Sequence, residues 1–368
     1  MEYRTMKENL KTSLLGFGCM RFPTNEDGTI NESETERMID YAISKGVNYI
    51  DTAYPYHNGE SEPVVGKILK KYPRDSYYIA TKLPVWKIEK REDVLTIFNE
   101  QMERLQMEYV DYYLLHALNK NSFAKVKELG ILEECIKLKE EGKIKNLGFS
   151  FHDEYEVFEE IIKYYPFDFC QIQYNYMDYN TQATEKGYEL AKEMGVPMVI
   201  MEPIRGGSLA SLPQDIEAMF KQENNETSIA SWALRYVGSK SNVKVVLSGM
   251  SAFDQVEDNI KTFENFQPLT EHEYSIVKKV EEALRARVKN GCTGCRYCVP
   301  CPMNIEIPRL FSIYNEYGRY DNLAKAKERY GSLEVKADAC VKCGKCEEAC
   351  PQHISIRDDL STLHELFK

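Results

Sequence analysis

Four polar residues stand out by type and spacing. In Asp51-Thr-Ala-Tyr-Pro-Tyr56-His-Asn-Gly-Glu-Ser-Glu62 a carboxylate and a phenol follow a short apolar run, Lys82 closes Ala80-Thr-Lys82, and His116 closes Leu114-Leu-His116. An ammonium held by a carboxylate beside a phenol equips that phenol as a proton donor, and a neighbouring imidazole can orient the group that receives the proton. On this reading Lys82, held by Asp51, draws the Tyr56 pKa down from its ordinary value of about 10. Singly, each residue has a plainer explanation: a strand-end Asp caps turns, a Lys is solvated, a His in an apolar strand is a satisfied core residue. At the ends of consecutive apolar runs, the four point to one basin.

The C-terminal part carries a second chemical signal. Its cysteines form two runs, Cys292-x2-Cys295-x2-Cys298-x2-Cys301-Pro302 and Cys340-x2-Cys343-x2-Cys346-x3-Cys350-Pro351. The second has the spacing of bacterial ferredoxins, and the first is one residue short before its fourth cysteine. In that pattern the cysteine before proline ligates the cluster of the other run. One 4Fe–4S cluster then takes Cys292, Cys295, Cys298 and Cys350, and a second takes Cys340, Cys343, Cys346 and Cys301. Paired C-x2-C knuckles also bind zinc, which is the alternative. Cys19, Cys135 and Cys170 lie in or beside apolar segments and read as buried structural thiols.

The elements that must position these groups follow from periodicity. Short apolar runs at 14–18, 48–50, 77–81, 110–115, 145–149, 169–172, 197–201 and 243–247 alternate with segments of helical period such as 34–44 and 130–141. Parallel strands need crossover helices, so eight such repeats predict an α/β (β/α)8 TIM-type barrel, whose strand ends converge on one basin. An open doubly wound sheet shows the same alternation, but the first run leads into Cys19-Met-Arg-Phe-Pro rather than a G-x-G-x-x-G turn. The expected organisation is a barrel over 1–265, a linker helix over 266–290 and a small α-rich ferredoxin-like iron–sulfur domain over 291–368. The segment 206–225 breaks the rhythm and predicts a long loop with a short helix. Leu310, Phe311, Ile313 and Tyr314 give the tail an apolar helix face that could pack on the barrel.

Asp51-Thr-Ala-x-x-Tyr56 with Gly59-x-Ser-Glu62, then Thr81-Lys82, then Leu115-His116, resembles the tetrad of the aldo-keto reductases, over roughly residues 3 to 265. The resemblance implies that Tyr56 protonates a carbonyl oxygen while a nicotinamide delivers hydride to its carbon. It further implies that Ser150 and Gln171 hold the nicotinamide carboxamide, that Met201 stands where many members stack a Tyr on the ring, and that Asn259 contacts adenine. Arg205-Gly206-Gly207, in the loop after the seventh strand, are candidates to hold the pyrophosphate through their backbone N–H groups, with a structural turn as the alternative. Phe151 replaces the family's usual Asn, and Gly249 and Gln255 stand where NADP-dependent members carry Lys and Arg, so NAD is at least as well suited as NADP.

Composition narrows the remaining possibilities. A formal net charge of −11 and no basic stretch exclude a nucleic-acid partner, and 43% hydrophobic residues in 368 suffice for one large core with a satellite domain. No run approaches the roughly 18 apolar residues of a membrane span, and residues 1–13 lack a signal-peptide core, so the expected location is the cytoplasm without membrane attachment. The expected partners are a small carbonyl or alcohol substrate and, for the clusters, a ferredoxin or flavin that passes single electrons. The competing function is an electron-carrier or nucleotide-sensing module in which the barrel turns over slowly or not at all.

Overall fold

The computed structural model describes residues 1–7 and 10–368. It divides into two compact units, Met1–Ala210 with Ala230–Tyr274 and Ser211–Ile229 with Ser275–Lys368.

The first unit is the expected barrel. Strands β3 (Leu15–Gly18), β4 (Tyr49–Asp51), β5 (Tyr78–Leu83), β6 (Val110–Leu118), β7 (Ile144–Phe151), β8 (Phe169–Gln173), β9 (Met198–Met201) and β10 (Val243–Gly249) close in the order β10-β3-β4-β5-β6-β7-β8-β9. Side chains alternate between the faces of a strand, and one face of a closed barrel is its interior. That interior is filled by Tyr49, Ala80, Tyr112, Leu114, Phe169, Val199, Val245 and Leu247. Tyr112 packs against both Tyr49 and Phe169, with ring centroids 5.1 Å apart in each pair. Met6, between β1 (Tyr3–Thr5) and β2 (Lys11–Ser13) of an antiparallel hairpin, joins the same cluster.

The outer face packs on amphipathic helices whose apolar residues recur every three or four positions. Helix α1 (Glu32–Ser44) buries Met38, Ile39 and Ala42, α2 (Ser61–Leu69) buries Val64, Val65 and Ile68, and α3 (Asp93–Leu105) buries Val94, Ile97 and Phe98. The Asn31 side chain accepts the Glu34 N–H and caps α1, as its polar lead-in suggests.

Two strands run further than their apolar cores. Lys82 lies inside β5, and β6 continues past His116 with its pairing to β7 slipping between Leu115 and Leu118. Ala117 takes φ 55 there, a bulge-like kink that re-aims the chain directly after His116.

In the second unit, helices Ile307–Tyr320, Leu323–Gly331 and Ile356–Phe367 bring Leu310, Phe311, Ile313 and Tyr314 together with Ala326, Tyr330, Leu360, Leu363 and Phe367. The apolar face expected on the tail is thus spent on a core of its own, against which cysteines of both runs pack. The segment that broke the barrel rhythm contributes helix Gln214–Glu223 to this unit, where Arg287 donates to both carboxylate oxygens of Asp215 at 2.8 and 3.1 Å. No helix among the described residues is long and apolar enough to cross a membrane.

Candidate active site and cysteine-lined cavities

Moving two residues along each strand from the buried interior layer reaches the next inward position. Tyr49 is followed by Asp51, Ala80 by Lys82, Leu114 by His116, Phe169 by Gln171, Val199 by Met201 and Leu247 by Gly249. These six, with Gly18, Met20, Arg21, Tyr56, Ser150, His152, Glu202 and Leu247, line a cavity of about 240 Å3 at the C-terminal mouth of the barrel.

Lys82 is the hub. Its Nζ donates to Asp51 Oδ1 at 2.7 Å, to the Thr52 carbonyl at 2.7 Å and to Tyr56 Oη at 3.4 Å. Both members of the ion pair are enclosed, Lys82 at 1% exposure and Asp51 at 3%. Burial disfavours the Lys82 charge, yet Asp51 and Tyr56 outweigh it and hold the ammonium above its ordinary pKa. Burial raises Asp51, with Lys82 as the main opposing influence and Gln171 Nε2 donating to its Oδ2 at 3.3 Å.

Tyr56 begins a tight turn, Tyr56–Gly59, in which His57 and Asn58 both adopt left-handed backbone angles, φ 50 and 57. Such angles are costly for non-glycine residues and persist where neighbours over-determine them. His57 supplies that restraint: its Nε2 accepts the Phe22 N–H at 3.1 Å and its ring stacks on Phe22 with centroids 5.6 Å apart. Burial raises the Tyr56 pKa, and Lys82 only partly offsets it. The expectation that the ammonium brings this phenol below its ordinary value is therefore corrected, because sequence spacing reports the cation but not the desolvation that competes with it.

His116 stands edge-on to Tyr56, with ring centroids 6.2 Å apart at 78°, and 5.1 Å from Trp86. Burial first, then Lys82 and His152, push its pKa well below 6.5, so the ring is neutral at ordinary pH. Its Nδ1 is buried without a hydrogen-bond partner.

A second cavity of about 330 Å3 adjoins the first through the shared residues Arg21, Glu202, Leu247 and Gly249. The candidate cofactor residues distribute over the two. Ser150, Gln171 and Met201 line the first, Gly206 and Asn259 the second, and Gly249 both. Ser150 Oγ accepts the Ala117 N–H at 2.7 Å, while buried Gln171 Oε1 has no partner. Asn259 Nδ2 donates to Ser248 Oγ at 2.9 Å.

Arg205 borders neither cavity: its Nε donates to Asp178 at 3.0 and 3.2 Å. The Arg205 N–H bonds to the Glu202 carbonyl and the Gly207 N–H to the Ile204 carbonyl, so two of the three candidate N–H groups are spent within the turn. Phe151 is fully buried against Phe158, on the outward face of β7, and His152 takes the next inward position.

Arg21, Glu202 and His152 are cavity residues that pattern reading passed over. Arg21 Nη2 lies 3.7 Å from Glu202 Oε1, a loose pair in which the arginine remains half exposed. The strand-end rule that found Lys82 and His116 also applies to the loop after the first strand, and would have found Arg21.

In the second unit the thiols surround two voids. One is lined by Cys292, Cys295, Cys298 and Cys350, the other by Cys298, Cys301, Cys340, Cys343 and Cys346. Among the described residues no group of three or more His, Cys, Asp or Glu side chains is arranged to hold a metal ion. Cys298 lines both voids.

Residues 14–282 match the aldo/keto reductase family and residues 291–354 match the 4Fe-4S dicluster domain family. Among curated proteins, a probable aldo-keto reductase of Glycine max is 31% identical over 208 residues, 54% of this chain and 58% of that protein. An NADH-specific methylglyoxal reductase of Escherichia coli K12 is 26% identical over 285 residues, 65% of this chain and 85% of that protein. Among solved structures, the holo form of an aldo-keto reductase from Bacillus halodurans superposes with a TM-score of 0.65 at 27% identity, covering 76% of this chain and 96% of that one.

Proposed function

Because the chain belongs to the aldo/keto reductase family, we propose that its barrel reduces a small-molecule carbonyl, or oxidises the matching alcohol, with a nicotinamide cofactor and with Tyr56 as the proton donor. The observation that carries this reading is the Lys82 ammonium, shared between Asp51, the Thr52 carbonyl and the Tyr56 hydroxyl. Ser150 and Gln171 would hold a nicotinamide in this cavity, and the group would supply the hydride for the carbonyl carbon. Neutral His116 offers a ring N–H to the carbonyl oxygen without competing as an acid. Tyr56 gives its proton to the developing alkoxide, which is far more basic than a phenolate, so a phenol pKa raised by burial still leaves the transfer downhill. Lys82 then stabilises the phenolate, and Asp51 keeps Lys82 charged.

The site's unfilled polar atoms suit a carboxamide. Gln171 Oε1 is an acceptor without a partner, and Ser150 Oγ, already accepting from Ala117, has its proton free to donate. For the nucleotide end, charge supports NAD over NADP. Among the described residues lining the second cavity, Arg21 is the one cation, opposed by Glu202 and Asp258. A 2′-phosphate would enter without a charge-assisted partner of its own.

The tail carries, on this reading, two 4Fe–4S clusters, one on Cys292, Cys295, Cys298 and Cys350 and one on Cys340, Cys343, Cys346 and Cys301; the two thiol-lined voids support that grouping. Hydride carries two electrons and such clusters pass one at a time. Exchange between them therefore calls for a flavin, either bound or carried by a partner, or for a ferredoxin-like acceptor working with a radical-tolerant substrate.

Tyr56→Phe, purified anaerobically, tests the proposal. Carbonyl reduction with NADH is lost while iron content and visible spectrum match wild type, and full turnover in this variant sinks it. Cofactor extraction from the same preparations identifies the nicotinamide and any flavin.

A further inference from the structure

The first two residues of α2 carry polar side chains that are completely buried, Ser61 and Glu62 both at 0% exposure. An acidic residue in the first turn of a helix is ordinarily a solvated partner of the helix dipole. Glu62 is instead turned into the protein, and its contacts lead to the catalytic lysine. Glu62 Oε1 accepts the Thr81 hydroxyl at 2.6 Å and Gln101 Nε2 at 2.7 Å. The same Gln101 Nε2 reaches the Lys82 carbonyl at 3.1 Å, and Gln101 is oriented by Tyr113, whose hydroxyl donates to its Oε1 at 2.7 Å. Arg104 Nη1 lies 3.5 Å from Glu62 Oε2; burial raises the Glu62 pKa, and its hydrogen bonds from Thr81 and Gln101 and the Arg104 charge offset this only in part.

Ser61 acts on the neighbouring strands. Its Oγ donates to the Cys19 carbonyl at 3.2 Å, so its 2.8 Å contact with Thr52 Oγ1 is a bond that Thr52 donates. Thr52 is also the residue whose carbonyl receives the Lys82 ammonium. The start of α2 thus ties together three consecutive strand ends: β3 through Cys19, β4 through Thr52 and β5 through Thr81.

Resting on the reading of Tyr56 as proton donor, we propose that Ser61 and Glu62 are positioning residues that fix Thr52 and Thr81-Lys82 so that the ammonium stays in reach of the Tyr56 hydroxyl. The contact they govern is already the longest of the three that Lys82 makes, 3.4 Å against 2.7 Å for the others. A small retreat of β5 would lengthen it first.

Three variants, Thr81→Val, Glu62→Ala and Glu62→Gln, test the proposal. Titration of Tyr56 by NMR of tyrosine labelled at Cζ, assigned with Tyr56→Phe, is read in the full chain without cofactor or turnover. With the ammonium less well held, Tyr56 titrates at higher pH in Thr81→Val and Glu62→Ala, and Glu62→Gln, which keeps an acceptor for Thr81, falls between them and wild type. In parallel kcat falls about tenfold while NADH dissociation, followed by fluorescence, stays within about twofold. A residue that merely supports the fold would move both constants with the folded fraction and leave the titration alone. Thr81→Val exchanges a hydroxyl for a methyl and decides the matter even if Glu62→Ala does not fold. An unchanged Tyr56 titration in Thr81→Val overturns the proposal. Full turnover of Tyr56→Phe overturns the catalytic reading separately, and the titration still decides the brace.

Discussion

Lys82→Met isolates what the buried ion pair does for fold and for chemistry. The substitution removes the ammonium and leaves Asp51, 3% exposed, with Gln171 Nε2 at 3.3 Å as its remaining side-chain hydrogen bond. Breaking a buried pair by deleting one partner costs about 3–5 kcal/mol, because the other charge stays desolvated. At ~2–4 °C per kcal/mol for a domain of this size, Tm falls by roughly 10 °C. The deficit has a sign in pH. Burial already raises the folded-state Asp51 pKa above 3.8 in wild type, and without Lys82 it rises further. The lost stability is therefore complete above the variant's own Asp51 pKa and shrinks as pH falls through it towards the wild-type value. Asp51→Asn with Lys82→Met removes both charges and recovers most of the stability but none of the turnover. Anaerobic thermal unfolding at about pH 8 and about pH 5, followed by far-UV circular dichroism with cluster absorbance recorded separately, measures all of this. Turnover of Lys82→Met falls about 10²–10⁴-fold, as a proton transfer loses its electrostatic support. A Lys82→Met protein as stable as wild type, or a double variant no more stable than the single one, refutes the reasoning.

Two further outcomes follow from the cavity. Because burial, Lys82 and His152 hold His116 well below 6.5, the rate of carbonyl reduction shows no inflection through pH 6.5, whereas burial of Tyr56 puts the alkaline loss of activity above 10; a pH profile of kcat checks both ends. Gln255→Arg introduces a cation at the lip of the second cavity, where Gln255 now accepts the Ser251 N–H, and raises kcat/KM for NADPH relative to NADH at least about tenfold, the worth of one charge-assisted bond; steady-state kinetics with the two cofactors reads the ratio. Lysine at Gly249 is a less direct route, since a Cβ there lies 3.2–3.3 Å from the Cβ, Cγ and Cδ of Arg21, whose half-exposed side chain would have to shift by a few tenths of an ångström.

The parts of the molecule legible in sequence are those governed by a short period. Alternation along β4, β5 and β6 makes Asp51, Lys82 and His116 the inward residues that follow Tyr49, Ala80 and Leu114, so the barrel and the convergence of its polar residues share one signal. The cysteine runs are legible for the same reason, because a fixed spacing is what marks residues 291–354 as a match to the 4Fe-4S dicluster domain family. Arg205 shows where this stops. Its place after the seventh strand suggests a backbone N–H for the nucleotide, but only three-dimensional structure reveals that this N–H bonds to the Glu202 carbonyl and that Asp178, 27 residues earlier, takes its side chain. Arg21, at the end of a short 3-10 turn without a motif, lines both cavities instead.

The sign of the Tyr56 shift belongs to the illegible class for a deeper reason. A cation at a known spacing pulls a phenol pKa down, and that half of the balance is written in the order of residues. Burial pulls it up, and burial is a property of what every other strand end brings to the same mouth. The chemistry tolerates this. If Tyr56 is the proton donor proposed above, it loses nothing from a raised pKa, provided Lys82 is there to stabilise the phenolate afterwards. On the proposed reading, movement of Lys82 away from Tyr56 costs turnover, and the buried side chain of Glu62 bears on it by holding Thr81, which precedes the lysine.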